Sequence, residues 1–246
     1  MRAHVATIPF ENIDVQLGRP TSRALPDIFA KLVERRRGGW CYEQNGLLGW
    51  ALGQMGFAVT PLAGGVMRIA SGDAALGNHL ALMVELDGEP WLVDAGFGGS
   101  LAEPVRLAEG AHRHAPYELS LARLDDGSWR FEEQVEGKPF SFDFHAAPAD
   151  QAALDAHHVR LQTAPDSPFV MNLVAQRRLG DRHLSLRGRV LTETRPDRQT
   201  ETLLADAEAL VETLAVRFGL DVPEVAAHWP AICARHAIVF GAEASA

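Results

Sequence analysis

Residues 77 to 96 fold back on themselves, and this reversal limits the possible architecture more than any other stretch. In Gly77-Asn78-His79-Leu80-Ala81-Leu82-Met83-Val84-Glu85-Leu86, the residues Leu80, Leu82, Val84 and Leu86 fall on one face of a strand and His79 on the other. Asp87-Gly88 is a two-residue hairpin signal, and Pro90-Trp91-Leu92-Val93-Asp94-Ala95 is the return strand. Pairing Leu86 with Glu89 sets His79 against Gly96, so Asp94 shares the face of His79. The two become diagonal cross-strand neighbours, roughly 7–8 Å apart between backbones. A slip of one residue in the turn would carry Asp94 to the wrong face.

The run Arg36-Arg37-Gly38-Gly39-Trp40-Cys41-Tyr42-Glu43-Gln44-Asn45 places one of only two cysteines between a glycine pair and a helical pattern. A thiol in the first turn of a helix sits among unpaired N–H groups at the positive end of the dipole, which favours the thiolate, the form that attacks carbonyls. Taken singly, Cys41 reads as a small buried hydrophobe, His79 as a satisfied core histidine and Asp94 as a strand terminus. Their joint spacing supplies a nucleophile, a base and an orienting carboxylate, the set that covalent acyl transfer needs. Cys233, in Ala231-Ile232-Cys233-Ala234, lacks such a context and reads as packing.

The spacing predicts an α+β chain in zones. Residues 1–56 are helical, with the stripes Ile28, Phe29, Leu32, Val33 and Leu47, Leu48, Ala51, Leu52, Met55, and Gly56 closing the second helix. Residues 57–147 alternate, with turns at Asp125-Asp126-Gly127-Ser128 and Glu136-Gly137-Lys138-Pro139, as in a meander or small barrel. Residues 148–168 connect, with a helix expected over Pro148 to His158. Residues 169–246 pair strand-like stretches, Phe169 to Gln176 and His183 to Thr194, with a helix striped by Leu210, Val211, Leu214, Ala215 and Phe218. Asp206 is placed to cap that helix and Gly219 to end it.

These 246 residues suit one enzyme of two or three subdomains. There is no apolar run of 18 residues and no basic-then-apolar start, so a cytoplasmic, non-membrane protein is expected, with its two cysteines reduced. A net charge of -9, with Arg35-Arg36-Arg37 the one basic run, argues against nucleic acid as a partner. That run reads as an exposed helix end or as a source of a partner for a buried carboxylate such as Glu11 or Glu43. His112-Arg113-His114 and His157-His158 lack metal-ligand spacing; solvated loops are expected there, and no metal.

Three segments together resemble the arylamine N-acetyltransferases: Ile8-Pro9-Phe10-Glu11-Asn12-Ile13-Asp14, then Arg37 to Asn45, then Leu92-Val93-Asp94-Ala95-Gly96-Phe97-Gly98, all in the family's order. Asp166-Ser167-Pro168-Phe169 resembles a further family element, and the likeness spans nearly the whole chain. Asn78 stands where the family usually has Thr or Ser, and Ala95 where Val is common; neither change removes a catalytic atom. The resemblance implies an N-terminal helical bundle, a central antiparallel β-barrel and a C-terminal α/β lid around a cysteine-protease-like core. It makes Cys41 the acetyl acceptor, His79 its base and Asp94 the orienting acid. Acetyl-coenzyme A is implied as a cosubstrate, with no tightly bound cofactor, and an aromatic amine, hydrazine or hydroxylamine as the acceptor.

Phe10, Trp40 and Phe97 are candidate apolar walls for that acceptor. The Gly96-Phe97-Gly98-Gly99 run lacks phosphate-loop spacing, yet its glycines let backbone N–H groups approach an anion, and the resemblance implies a coenzyme A pyrophosphate near Gly96 and Gly98. Trp229 reads either as a ring that stacks on the cofactor or as packing for the last helix. Two rival readings share the triad: an amide synthase that releases a carrier-bound acyl chain onto an aromatic amine, and a transglutaminase-like or papain-like hydrolase. The family usually carries a further helical segment ahead of Ile8-Pro9-Phe10, and residues 1–7 read like the end of a helix already under way. Exposed apolar surface near residues 1 to 30, and lower stability than an upstream-extended form, are therefore expected.

Overall fold

A computed structural model describes residues 1–135 and 138–241. The helical start comprises α1 (Arg2–Thr7), α2 (Ile13–Gln16), α3 (Leu25–Phe29) and α4 (Cys41–Gln54), with a two-residue strand β1 (Phe10–Glu11) between the first two. Helix α3 runs on into a π-helical turn, Ala30–Glu34. That wider turn keeps Ile28 and Leu32 buried but rotates Val33, expected in the same stripe, to 42% exposure. In α4, Leu47 and Leu48 are buried, whereas Met55 follows the last helical residue and is exposed. Gly56 has a left-handed φ of 91°, the conformation that stops a helix cheaply.

Next come β2 (Ala58–Val66), a short helix α5 (Arg68–Ser71), β3 (His79–Leu86), β4 (Glu89–Val93), β5 (Val105–Arg106), β6 (Gly110–His114), β7 (Tyr117–Arg123), β8 (Trp129–Val135) and β9 (Lys138–Phe144). They form one antiparallel sheet in the order β5-β4-β3-β2-β9-β8-β7-β6. Its two edge strands follow one another in sequence without pairing, so the sheet is a nearly closed barrel. Leu62, Ala81, Leu92, Leu119, Phe131 and Phe142 fill its interior, and Leu82 and Val84 on the other face pack with Leu48 of α4. The turn expected at residues 136–139 lies partly outside the described residues.

The C-terminal part holds α6 (Gln151–Thr163), α7 (Pro168–Met171), β10 (Val174–Leu179), β11 (Arg182–Arg187), β12 (Val190–Thr194), β13 (Gln199–Leu203), α8 (Ala207–Thr213) and α9 (Trp229–Phe240). The second sheet has the order β1-β10-β11-β12-β13, so a strand from the helical start opens a sheet built otherwise from the end of the chain. Ala175, Leu184 and Leu186 on one face pack with Leu210, Leu214, Phe218 and Ile232. The Asp206 carboxylate accepts the Ala209 N–H at 2.9 Å, and Gly219 ends that helical stretch in the left-handed region at φ 73°.

Several expectations need correction. The connecting helix reaches Thr163, five residues beyond the expected end, and Phe169 lies in a helical turn because Ser167 caps it and Pro168 starts it. His112 and His114 are in strand β6, and His157 and His158 on α6, not in loops. His158 is buried against Trp40 and Tyr42, which pushes its pKa down to about 4. No large apolar side chain of residues 1–30 is exposed: Met1, Val5 and Ile13 pack into the cores. Among the described residues no helix is long and apolar enough to cross a membrane.

Candidate active site

Trp40 is in an extended conformation and the helix begins at Cys41, two residues ahead of a carboxylate that anchors the start. Glu43 accepts the Trp40 N–H at 3.2 Å, the returning half of a capping box. Behind it lies a buried ionic cluster. Lys31 bonds Glu43 at 2.9 Å and Asp14 at 2.8 Å, and Arg37 bonds Glu11 at 2.8 Å. Burial works against the charge on Lys31, but Glu11, Glu43 and Asp14 hold its pKa above the ordinary value. Of the basic run, Arg37 therefore takes the buried-carboxylate role, with Glu11 as its partner. Glu43 pairs with Lys31 instead.

On the barrel side, the register Leu86↔Glu89 through Leu82↔Val93 is the one the hairpin arithmetic requires. His79 and Asp94 are consequently neighbours, with His79 Nε2 2.6 Å from Asp94 Oδ2 and both side chains buried. The other Asp94 oxygen, Oδ1, accepts from Asn45 Nδ2 at 2.7 Å and from the Gly96 N–H at 2.8 Å. With Nε2 on the carboxylate, Nδ1 is the ring nitrogen left for Cys41. Burial works against charge on His79, but the Asp94 charge and hydrogen bond, together with Cys41, outweigh it and lift its pKa to about 10.

Asn45 escaped the sequence reading. It grips Leu80 O at 2.6 Å and the Ala95 N–H at 2.9 Å as well as Asp94, so it ties both hairpin strands to α4. Its signal was its spacing, four residues after Cys41 and thus one turn along the same helix face. Gly96 explains how closely the hairpin approaches: a Cβ there would lie 2.6 Å from Cys41 Cα.

Of the expected binding residues, the structure brings Gly96 and Phe97 to the triad. The Phe97 ring meets the His79 ring edge-on at 5.5 Å and stacks on Phe140 at 5.1 Å. Trp40 and Phe10 share an apolar cluster with Cys41, but Trp40 is turned into it, 1% exposed against Tyr42, His158 and Phe169. The Gly96 N–H is already committed to Asp94, and the Gly98 carbonyl accepts from His183. Trp229 packs against the core of the second sheet with the Arg189 guanidinium over its ring at 5.3 Å. Among the described residues no three His, Cys, Asp or Glu side chains are grouped to hold a metal ion.

A family model described as N-acetyltransferase matches residues 1–227. The arylamine N-acetyltransferase of Mycolicibacterium smegmatis is 37% identical over 233 residues, covering 91% of this chain and 84% of that one. The enzyme of that name from Mycobacterium tuberculosis H37Rv is 36% identical over 241 residues, covering 90% and 81%. Among solved structures, Mycobacterium marinum arylamine N-acetyltransferase in complex with CoA superposes with a TM-score of 0.84 at 35% identity, covering 95% of this chain and 89% of that one. A buried Cys, His and Asp, on a helix start and a hairpin that sequence alone predicts, thus stand within a likeness to acetyl-transferring enzymes that covers most of the chain, and the chain belongs to the arylamine N-acetyltransferases, a family of acyltransferases.

Proposed function

We propose that this protein transfers an acetyl group from acetyl-coenzyme A to aromatic amines, hydrazines or hydroxylamines in two steps through an acetyl-Cys41 intermediate. The observation that carries the reading is the buried His79–Asp94 pair at 2.6 Å beside a cysteine that begins a helix. The carboxylate at Nε2, with Nδ1 left for the sulfur, is the order we read as that of a cysteine-protease-like core. The CoA complex of the M. marinum relative supports the donor.

In the first step the Cys41 sulfur, its proton held by His79, attacks the thioester carbonyl carbon. The amides of Cys41 and Tyr42, in the first helical turn, stabilise the oxyanion. The carbon–sulfur bond to coenzyme A breaks, and its sulfur leaves with the proton from His79. One thioester replaces another, so the step is nearly isoenergetic. In the second, the amine nitrogen attacks acetyl-Cys41, the bond to Cys41 breaks and the nitrogen's proton returns to His79. Arylamines and arylhydrazines are largely unprotonated at neutral pH, which suits a site that must capture a free lone pair. Phe97 forms the apolar wall, and Phe10 and Trp40 pack in the cluster behind Cys41. The cycle needs Cys41 as a free thiol and regenerates it each turn, so we place it in the reducing cytoplasm.

Mass spectrometry after incubation with acetyl-coenzyme A tests the reading. One added acetyl group on the Cys41 peptide is expected, discharged by an arylamine such as 4-aminobenzoate. Label on Cys233 instead, or acetyl lost to water as fast as to amine, would overturn it.

A further inference from the structure

The second sheet has two unlike faces. One is apolar and covered by helices, and the other carries Gln176, Arg178 and His183 toward the barrel. Arg178 and His183 are direct cross-strand partners on β10 and β11, so they project side by side from that face. Both are buried, and both reach the loop that follows the catalytic hairpin. His183 Nε2 donates to the Gly98 carbonyl at 2.8 Å, and one Arg178 nitrogen donates to Gly99 O at 2.8 Å and Ser100 O at 3.4 Å. A second Arg178 nitrogen bonds His114 O at 2.8 Å, and also Ala115 O, at the β6–β7 turn. The hydroxyl of Tyr117 donates to His183 Nδ1, which fixes the tautomer that leaves a proton on Nε2. Arg178 also lies over the Tyr117 ring at 5.8 Å.

The loop needs such a clamp. Gly98 and Gly99 are consecutive left-handed residues, with φ of 100° and 112°. They reverse the chain directly after Phe97, and a glycine pair supplies no side chain to hold that reversal. Its three successive carbonyls are held by Arg178 and His183 instead. What the loop carries is Phe97, in edge contact with the catalytic imidazole.

We propose that Arg178 and His183 are positioning residues for the acceptor step, setting the Gly98–Ser100 backbone and so the angle of Phe97 over His79. This rests on the acetyl-Cys41 reading above. A loosened clamp should displace the acceptor wall and leave the cysteine's own chemistry intact.

The test compares His183→Ala, His183→Gln, Tyr117→Phe and Arg178→Lys with the parent by two readouts. Alkylation of Cys41 by iodoacetamide across pH reports the Cys41–His79 pair without any acetyl donor. Steady-state acetylation of 4-aminobenzoate gives KM and kcat for the acceptor. His183→Ala should raise acceptor KM about tenfold while the alkylation profile moves less than about twofold, since small misplacements at a distance cost tens to a hundredfold. His183→Gln, which keeps a donor, should recover part of the loss, and Tyr117→Phe should show a smaller rise. Lowered thermal stability with unchanged acceptor KM would overturn the proposal and leave a structural clamp only. So would an alkylation profile that collapses along with the KM. If His183→Ala unfolds, the same criteria apply to Tyr117→Phe and Arg178→Lys. Failure of the parent protein to acquire acetyl on Cys41 would instead count against the two-step mechanism.

Discussion

Two buried histidines on opposite sides of the Phe97 loop show how a partner decides charge. His79 and His183 are equally hidden from water. His79 faces a carboxylate and its pKa is lifted to about 10; His183 faces a carbonyl and a hydroxyl, and burial pushes it down to about 4. The same desolvation acts on both, so the difference comes from what sits across the hydrogen bond. One site keeps a charge available to move protons. The other keeps a neutral donor available to hold backbone.

The sharpest way to break this contrast is Asp94→Asn, which gives His79 a neutral partner of the kind His183 has. Acetyl transfer should fall by roughly 10⁴, since loss of the orienting acid of a triad has about that effect. NMR titration of His79 should show its pKa falling with the rate. Near-parent turnover in a folded variant would mean that Asp94 does not govern His79.

A second change asks whether buried charge elsewhere obeys the same rule. Lys31→Met leaves Glu43 and Asp14 without their shared cation, and removing one partner from a buried ion cluster costs about 3–5 kcal/mol. Urea unfolding should show that loss. A change below about 1 kcal/mol would mean that the carboxylates are satisfied without Lys31.

The smallest effect is the most diagnostic, because the two histidines should act on opposite limbs of the stability curve. His79, raised, contributes stability that is complete below its unfolded pKa of 6.5 and lost as pH climbs through about 10. His183, depressed, contributes stability present above 6.5 and lost as pH falls toward about 4. His79→Gln should therefore flatten the alkaline limb of the thermal midpoint and His183→Gln the acid limb, by about 2–4 °C per kcal/mol removed. Identical pH profiles for the two variants would refute the assignment of opposite charge states.

Local signals carried much of this. The hairpin register followed from Asp87-Gly88 and alternation alone, and it brought Asp94 to His79. Asp206 and Gly219 bounded their helix because capping is short-range chemistry. Pairings without local period did not announce themselves. Strand β13, Gln199–Leu203, is exposed along its whole length and so shows no alternation. Strand β1 is two residues long. The clamp by Arg178 and His183 depends on how one sheet faces another, which no window of sequence contains. Asn45 was within reach, since helix spacing puts it on the face of Cys41.

The union of β1 with β10 also sets a schedule. Phe10 pairs with Gln176, so β1 gains its partner in the second sheet only after another 166 residues have been made. At about 5–20 residues per second, synthesis leaves that strand waiting roughly 10–30 s. Before this interval ends, helix α4 and the barrel hairpin are complete in sequence, while the edge of β1 that meets β10 is open. The second sheet therefore closes on its first strand late in synthesis, after the barrel strands have been made.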